Sequence, residues 1–342
     1  MRKLLNTIYV TNENAYLTLE NNNLVCNIEG TKALKVPFDN IENIVCFSYL
    51  GCSPALMGEC VEKKIPINFI SPAGKYWAKV CGETKGNVFL RVAQIDRFRR
   101  DGLQLAKREM EAKFSNCIRI YRRSLHDYPE LKNDTDVLKI IDALKNGLIK
   151  AEECTSKESL LGIEGNCANA YFSGFPKTMP NRALADTFHF RNKRPPLDPI
   201  NALLSFFYTL AMADCSAALE TVGLDSYIGF YHELRSGRVS LACDLVEEMR
   251  GIVERFVITI VNLRIINEKD FDRKITGAVW LNDVGKKKAL QKWQEKKRSV
   301  IYHKVIKEKI PLGLLPYVQS NLLAKYVRGE IEEYIPFLQI ER

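Results

Sequence analysis

The stretch Gly86-Asn-Val-Phe-Leu-Arg-Val-Ala-Gln-Ile-Asp-Arg-Phe-Arg-Arg-Asp101 is where the chain changes its pattern. From here on apolar residues recur every three or four positions, as Val92, Ile95 and Phe98 and then Leu103, Leu105, Met110, Phe114, Cys117, Ile118 and Tyr121. That period belongs to an amphipathic helix and predicts one long helix, or two in line, ending near Pro129. Upstream the runs are short, β-branched or aromatic, and period-two: Thr7 to Val10, Ala15 to Leu19, Leu24 to Ile28, Ala33 to Val36 and Ile41 to Phe47, separated by Asn-rich and Pro-containing turns. They read as an antiparallel meander. Ser53 to Lys63 is a helical interruption, after which strands return at Ile65 to Ile70 and Tyr76 to Cys81. Downstream, helices are expected at about 134 to 150, 156 to 172, 199 to 222, 238 to 266, 283 to 309 and 313 to 328. The expected class is α+β, with an N-terminal β domain over residues 1–86 and a larger all-α domain over residues 87–342.

Composition agrees with a globular chain: 46% of the 342 residues are hydrophobic and 27% charged. Fifty Lys and Arg against 41 Asp and Glu leave a formal charge of +9, which attracts polyanions where it is gathered on one surface. The longest nearly apolar run, Ala202 to Ala213, is shorter than the roughly 20 residues a bilayer needs and carries Ser205 and Thr209, so it reads as a core helix with no membrane role. Met1-Arg-Lys-Leu-Leu-Asn6 turns polar where a signal peptide would turn apolar, and a cytoplasmic protein is expected. Ten cysteines form no C-x-x-C pair and sit beside apolar residues, the habit of reduced core thiols.

Glu164 is the most informative position. A capping-box pattern, Thr155-Ser-Lys-Glu158, starts a helix on which Leu160, Glu164, Cys167 and Tyr171 share one stripe. A carboxylate in a stripe meant for burial needs a cationic partner, either a basic side chain or a metal ion. Gly162 and Gly165 leave a low surface beside it.

A second cluster follows Gly223. His232 lies in a glycine-punctuated segment, and the next helix places Asp244 and Glu247 three residues apart on one face near its start. Two carboxylates and an imidazole suit Mg²⁺ or Mn²⁺ better than a structural zinc, while a D-x-x-E pair by itself is often only a solvated face. Arg235 and Arg238 nearby supply the charge neutralisation that a phosphodiester reaction needs. From spacing alone, either Asp244 or Glu247 can be the direct ligand.

Positive charge concentrates in three places. Arg191, Lys193 and Arg194 sit in a loop stiffened by Pro195 and Pro196 just before a helix at Asp198-Pro199, a phosphate clamp or a solvated loop. The Arg91 to Arg123 helix is basic, and the Gly285 to Lys309 segment, with Lys286, Lys287 and Lys288, is denser still. Such imbalance favours a face that tracks duplex DNA over an ordinary solvated surface only when the helix is long. Trp293, Tyr302 and Tyr326 are either base-stacking or packing residues. His126 and His303 read as surface residues, and His189 as a packing or phosphate-contact residue.

Four segments, Leu161-Gly-Ile-Glu-Gly-Asn-Cys-Ala-Asn-Ala-Tyr-Phe172, Arg194-Pro-Pro-Leu-Asp-Pro-Ile-Asn-Ala-Leu-Leu-Ser-Phe206, Gly223-Leu-Asp-Ser-Tyr-Ile-Gly-Phe-Tyr-His232 and Ser240-Leu-Ala-Cys-Asp-Leu-Val-Glu-Glu-Met-Arg250, resemble in order the motifs of the CRISPR-associated spacer-acquisition integrase and endonuclease. The resemblance spans nearly the full chain. Lys3-Leu-Leu-Asn-Thr-Ile-Tyr-Val-Thr11 and Ile310-Pro-Leu-Gly-Leu-Leu-Pro316 look most like the version found in subtype I-C systems. It implies a β-sandwich-like N-terminal domain that serves dimerisation and partner contact, and an all-helical catalytic and DNA-binding domain. It also implies a homodimer that joins a small CRISPR-associated partner to insert short DNA segments into the repeat array. Carried over position by position, it implies Glu164, His232 and Glu247 as ligands of Mg²⁺ or Mn²⁺, with Asp244 as a further acidic active-site residue. Related proteins carry Asp where this chain has Glu247, one methylene longer.

The expected chemistry is metal-dependent phosphoryl transfer on double-stranded and branched DNA, in which a 3′-hydroxyl attacks a repeat phosphodiester and water can replace it in hydrolysis. The rivals are a non-catalytic basic nucleic-acid-binding scaffold and a phosphohydrolase of small molecules, the latter leaving the lysine-rich segment without a purpose.

Overall fold

The computed structural model describes residues 6–80, 82 and 87–338. The strand end at Cys81, the boundary at Gly86 and Lys3 to Leu5 of the N-terminal motif lie outside the described residues.

The first part builds β1 (Thr7–Val10), β2 (Ala15–Glu20), β3 (Asn23–Ile28), β4 (Thr31–Pro37), β5 (Asn43–Cys46), α1 (Pro54–Glu62), β6 (Ile67–Ile70) and β7 (Tyr76–Val80). Strands β2, β3 and β4 form the antiparallel meander the turns predicted. The other sheet, in the order β1-β5-β6-β7, is mixed: β5 runs parallel to both β1 and β6, and only β7 is antiparallel. The expectation of antiparallel pairing throughout is therefore corrected. The reason lies in the connections, because a parallel pair needs a long crossover. The whole β2–β4 meander intervenes between β1 and β5, and α1 between β5 and β6. Leu17, Leu24, Ile44, Leu56, Cys60 and Ile67 meet in the small core of this part.

The second part contains α2 (Val88–Asp127), α3 (Thr135–Glu153), α4 (Lys157–Ser173), the single turn α5 (Arg182–Ala185), α6 (Pro199–Thr221), α7 (Ser240–Asn262), the hairpin β8 (Phe271–Arg273) and β9 (Val279–Leu281), α8 (Asp283–Arg298), the hairpin β10 (Val300–His303) and β11 (Glu308–Pro311), and α9 (Leu315–Val327). The α+β class stands, while the two hairpins correct the reading of this part as purely helical. Asn87 caps α2 through its side chain, which accepts from the Leu90 N–H at 3.2 Å. The helix then runs 40 residues until Tyr128, held extended before Pro129, ends it. Ser156, not Thr155, caps α4. Asp198 caps α6, with Pro199 at its first position.

Helix α6 is 23 residues long and apolar enough by composition to cross a membrane, but it is mostly buried against α7 and α9, the core helix its sequence suggested. The helix expected over 283 to 309 stops at Arg298, where Val300-Ile-Tyr302 favours a strand. His303 consequently lies inside the fold with Nε2 2.8 Å from Gln319 Oε1, a correction to its reading as a surface residue. The described cysteines are all free; Cys243 is half-buried and the others are buried.

Phe47 stacks on Phe206 of α6 at 5.8 Å and lies under the Lys286 ammonium of α8 at 5.6 Å, so the strand-rich part is docked on α6 and α8. Helix α2 packs against α3, α4 and α7, an arrangement that gathers the charged residues described next.

Candidate active site

Lys113 projects from α2 with its side chain only 7% exposed, and its ammonium lies 2.5 Å from Glu164 Oε1 on α4 and 2.8 Å from Glu247 Oε2 on α7. Glu247 is buried, and Arg250, one turn further along α7, brings its Nε to 2.8 Å from the same Oε2. That oxygen meets both cations at ion-pair distance with no hydrogen bond aligned on it. Burial by itself would raise the Glu247 pKa, yet the charges of Arg250 and then Lys113 outweigh it and lower it to about 2. The same attraction raises the Lys113 and Arg250 pKa values against the opposing effect of burial. Glu164 is half-buried at the mouth of the cluster.

Asp244 has a different task. It is fully buried, its Oδ2 accepts from the N–H groups of Phe230 (2.8 Å) and Tyr231 (3.2 Å), and its Oδ1 accepts from the His232 N–H (2.9 Å) and lies 2.6 Å from His232 Nδ1. A carboxylate only accepts, so Nδ1 carries the proton and Nε2 is left as the imidazole's free donor pair. Gly229 permits this arrangement, because a Cβ there would stand 2.7 Å from Asp244 Oδ2 and 2.9 Å from Ser240. With four donors on its two oxygens, Asp244 positions His232, whereas Glu247 faces the cations. Of the D-x-x-E pair, Asp244 is thus turned toward the His232 loop and Glu247 toward Lys113 and Arg250.

The donor set fits a hard divalent ion in kind. Two carboxylates converge on one cationic point, one of their oxygens lacks an aligned hydrogen bond, and the neighbouring imidazole is tethered through Nδ1 to a carboxylate as metal-bound histidines usually are. With Lys113 between the carboxylates, no three Asp, Glu, His or Cys side chains among the described residues close into a coordination cage.

Around this centre the basic residues divide. Arg191 is tied down, its guanidinium 2.7 Å from Asn201 Oδ1 and over the Tyr208 ring at 5.6 Å; Arg250 covers the same ring at 5.0 Å. Lys193 and Arg194 are exposed. The Lys193 pKa is lowered by partial desolvation and then by the guanidiniums of Arg250 and Arg191, which puts Lys193 on the same positive rim. Arg235 is exposed, whereas Arg238 is bound to its own loop through Ser240 Oγ at 3.3 Å and the Glu233 carbonyl. Lys286 departs from the expectation of a DNA contact: it is buried, over the Phe47 ring at 5.6 Å and 3.3 Å from Asp283. Lys287 is exposed, and Lys288 pairs with Asp270 at 2.7 Å. Trp293 packs on Phe207 and Phe256, Tyr326 donates to Asp101 at 2.7 Å, and Tyr302 remains exposed. His126 and His189 are exposed.

Sequence reading overlooked Lys113 and Arg250 as members of the site, and Tyr231, whose buried hydroxyl has no hydrogen-bond partner and whose pKa is raised by burial and then by Glu164, Glu247 and Asp244. The signal for Lys113 was present: it sits between Met110, Phe114 and Cys117 on the buried stripe of α2, where a lysine requires an acidic partner.

The chain matches the family described as CRISPR associated protein Cas1 over residues 8–295. The CRISPR-associated endonuclease Cas1 1 of Chlorobaculum tepidum is 38% identical over 343 aligned positions, covering 99% of both chains. Among solved structures, a casposase bound to integration product superposes with a TM-score of 0.84 at 22% identity over 98% of this chain and 93% of that one. The Cas6-RT-Cas1–Cas2 complex gives 0.83 at 20% identity, covering all of this chain and 37% of that one. The two structural likenesses concern the fold. The chain belongs to the Cas1 family.

Proposed function

We propose that this protein is a divalent-metal-dependent DNA endonuclease and integrase of CRISPR adaptation, which inserts short DNA segments into a repeat array by transesterification. The observation that carries the reading is the convergence of Glu164 and Glu247 on one cation beside an imidazole fixed by Asp244. Glu164, Glu247 and His232 Nε2 are the groups that would hold Mg²⁺ or Mn²⁺, which when bound supplies Lewis-acid polarisation of a phosphoryl oxygen. Asp244 keeps the imidazole in one tautomer and orientation. Arg250 balances the buried charge of Glu247, and the exposed Lys193 and Arg194 neutralise phosphates on the approaching strand. The attacking group is the 3′-hydroxyl of the incoming fragment, and water in its place yields strand cleavage.

The named relatives support this reading: a Cas1 endonuclease, a casposase on its integration product, and a complex that contains Cas1 with Cas2. We read the working assembly as a homodimer joined to a small CRISPR-associated partner, acting on double-stranded and branched DNA in the cytoplasm, and the chain as the subtype I-C version. The test is strand transfer from a branched DNA substrate by the purified protein with its partner, in Mg²⁺ and in Mn²⁺. Product that forms equally in EDTA, or undiminished product from Glu164→Ala and His232→Ala, overturns the assignment. Salt-sensitive DNA binding with no metal-dependent product returns the scaffold reading.

A further inference from the structure

We propose that the Lys113 ammonium is a built-in counter-ion of this site, which holds Glu164 and Glu247 together in the metal-free protein and turns back to Glu109 when a divalent ion takes its place. The inference rests on the reading of Glu164 and Glu247 as metal ligands.

Three observations carry it. Lys113 Nζ lies 2.5 Å from Glu164 and 2.8 Å from Glu247, so any ion that joins the two carboxylates must take the point it occupies. Two carboxylates drawn to one point repel each other, and a cation between them offsets that repulsion and holds them on station. The ammonium is therefore a placeholder for the charge that the site is built to receive. It is also a competitor, because a monovalent cation beside a divalent one costs Coulomb energy that displacement relieves.

The second observation concerns where the ammonium goes. Glu109 stands four residues earlier on α2, on the same face, and is fully buried. The third is that both its carboxyl oxygens lack a hydrogen-bond partner among the described residues. A buried acid with two unused acceptors one helical turn from a buried lysine is a receiving position within the span of a four-carbon stem. Rotation about the Lys113 side chain then exchanges one acidic partner for another with no movement of α2.

Mn²⁺ binding to the full-length protein, measured calorimetrically, tests the exchange. Wild type should bind an ion that Glu164→Ala loses. Lys113→Met should bind it about tenfold or more tightly, since the competing charge is gone. Glu109→Gln should bind it more weakly than wild type, since the displaced ammonium has no ionisable partner. A wild type that binds no ion overturns the metal reading itself. A wild type that binds, with Lys113→Met equal or weaker, overturns this inference alone, and equal affinity in Glu109→Gln removes Glu109 from it. A second measurement needs no charge-removing variant: in lysine ¹³Cε-labelled protein, the signal missing from Lys113→Arg should move on saturation with Mg²⁺. A signal that stays in place overturns the proposal.

Discussion

Asp244 Oδ1 accepts from His232 Nδ1 at 2.6 Å while also accepting from the His232 backbone N–H at 2.9 Å, so one buried carboxylate sets both the path of the loop and the orientation of its imidazole. Removing the charge without removing the shape isolates that role. Asp244→Asn should lower metal-dependent strand transfer about 10–100-fold, as outer partners of metal-bound histidines do. Kinetics with Mn²⁺ titration check it, and wild-type affinity and rate in the variant would remove Asp244 from the positioning role.

Gly229 gives a steric version of the same test. A methyl group there would press on Asp244 Oδ2 and Ser240 at 2.7 and 2.9 Å. Gly229→Ala should cost about 1–3 kcal/mol of stability through overpacking and reduce activity by a larger factor than its melting temperature explains. Paired thermal melts and cleavage assays distinguish the two effects.

Arg250 neutralises Glu247 inside the protein. Arg250→Met removes one partner of a buried pair and should destabilise the metal-free protein by about 3–5 kcal/mol. Denaturant unfolding reads this directly, and a change below about 1 kcal/mol, the range of a solvated ion pair, would show that Arg250 is not needed for charge balance.

Stability should depend on pH through the neighbouring acid. Burial pushes Glu248 up from 4.5 to about 7 despite hydrogen bonds from Tyr334, Phe337 and Gln319 that favour its ionised form. A raised carboxyl pKa means the native state holds a proton the unfolded chain has lost. This contribution to stability is therefore full below pH 4.5 and is lost as pH rises toward about 7. Melting temperatures measured across that interval should fall for wild type and fall less for Glu248→Gln.

The exposed and buried lysines should separate in salt titrations of DNA binding. Replacing exposed Lys193 or Arg194 with Ala should reduce the slope of log affinity against log salt by about one each. Lys286→Ala should leave the slope unchanged and lower thermal stability, because its ammonium lies in the interior over Phe47.

The change of period at Gly86–Asn87 was sufficient to foresee a strand-rich part followed by a helical one, because the alternation of a strand and the 3.6-residue turn of a helix are properties of neighbouring residues. The same local logic put Glu164 on the stripe of α4 and Asp244 and Glu247 on one face of α7. It failed where the deciding partner is distant. Val300 to Lys309 continued a lysine-rich run and looked helical, yet Val300 to Pro311 pairs as a hairpin whose inner side buries His303. Lys286 looked like its exposed neighbour Lys287 until the strand-rich part was docked over it.

The sequence alone determined the order and type of most elements and the residue types available to the site, since both follow from local pattern. Tertiary structure decided that β1 pairs in parallel with β5, that Asp244 is spent on His232 while Glu247 faces a cation, and that Lys113 reaches from α2 to stand between Glu164 and Glu247. The physical reason is that hydrogen bonds and ion pairs are made through space. Lys113 is separated from its two acidic partners by 51 and 134 positions of chain, and only the packing of α2 against α4 and α7 brings its ammonium within 3 Å of both.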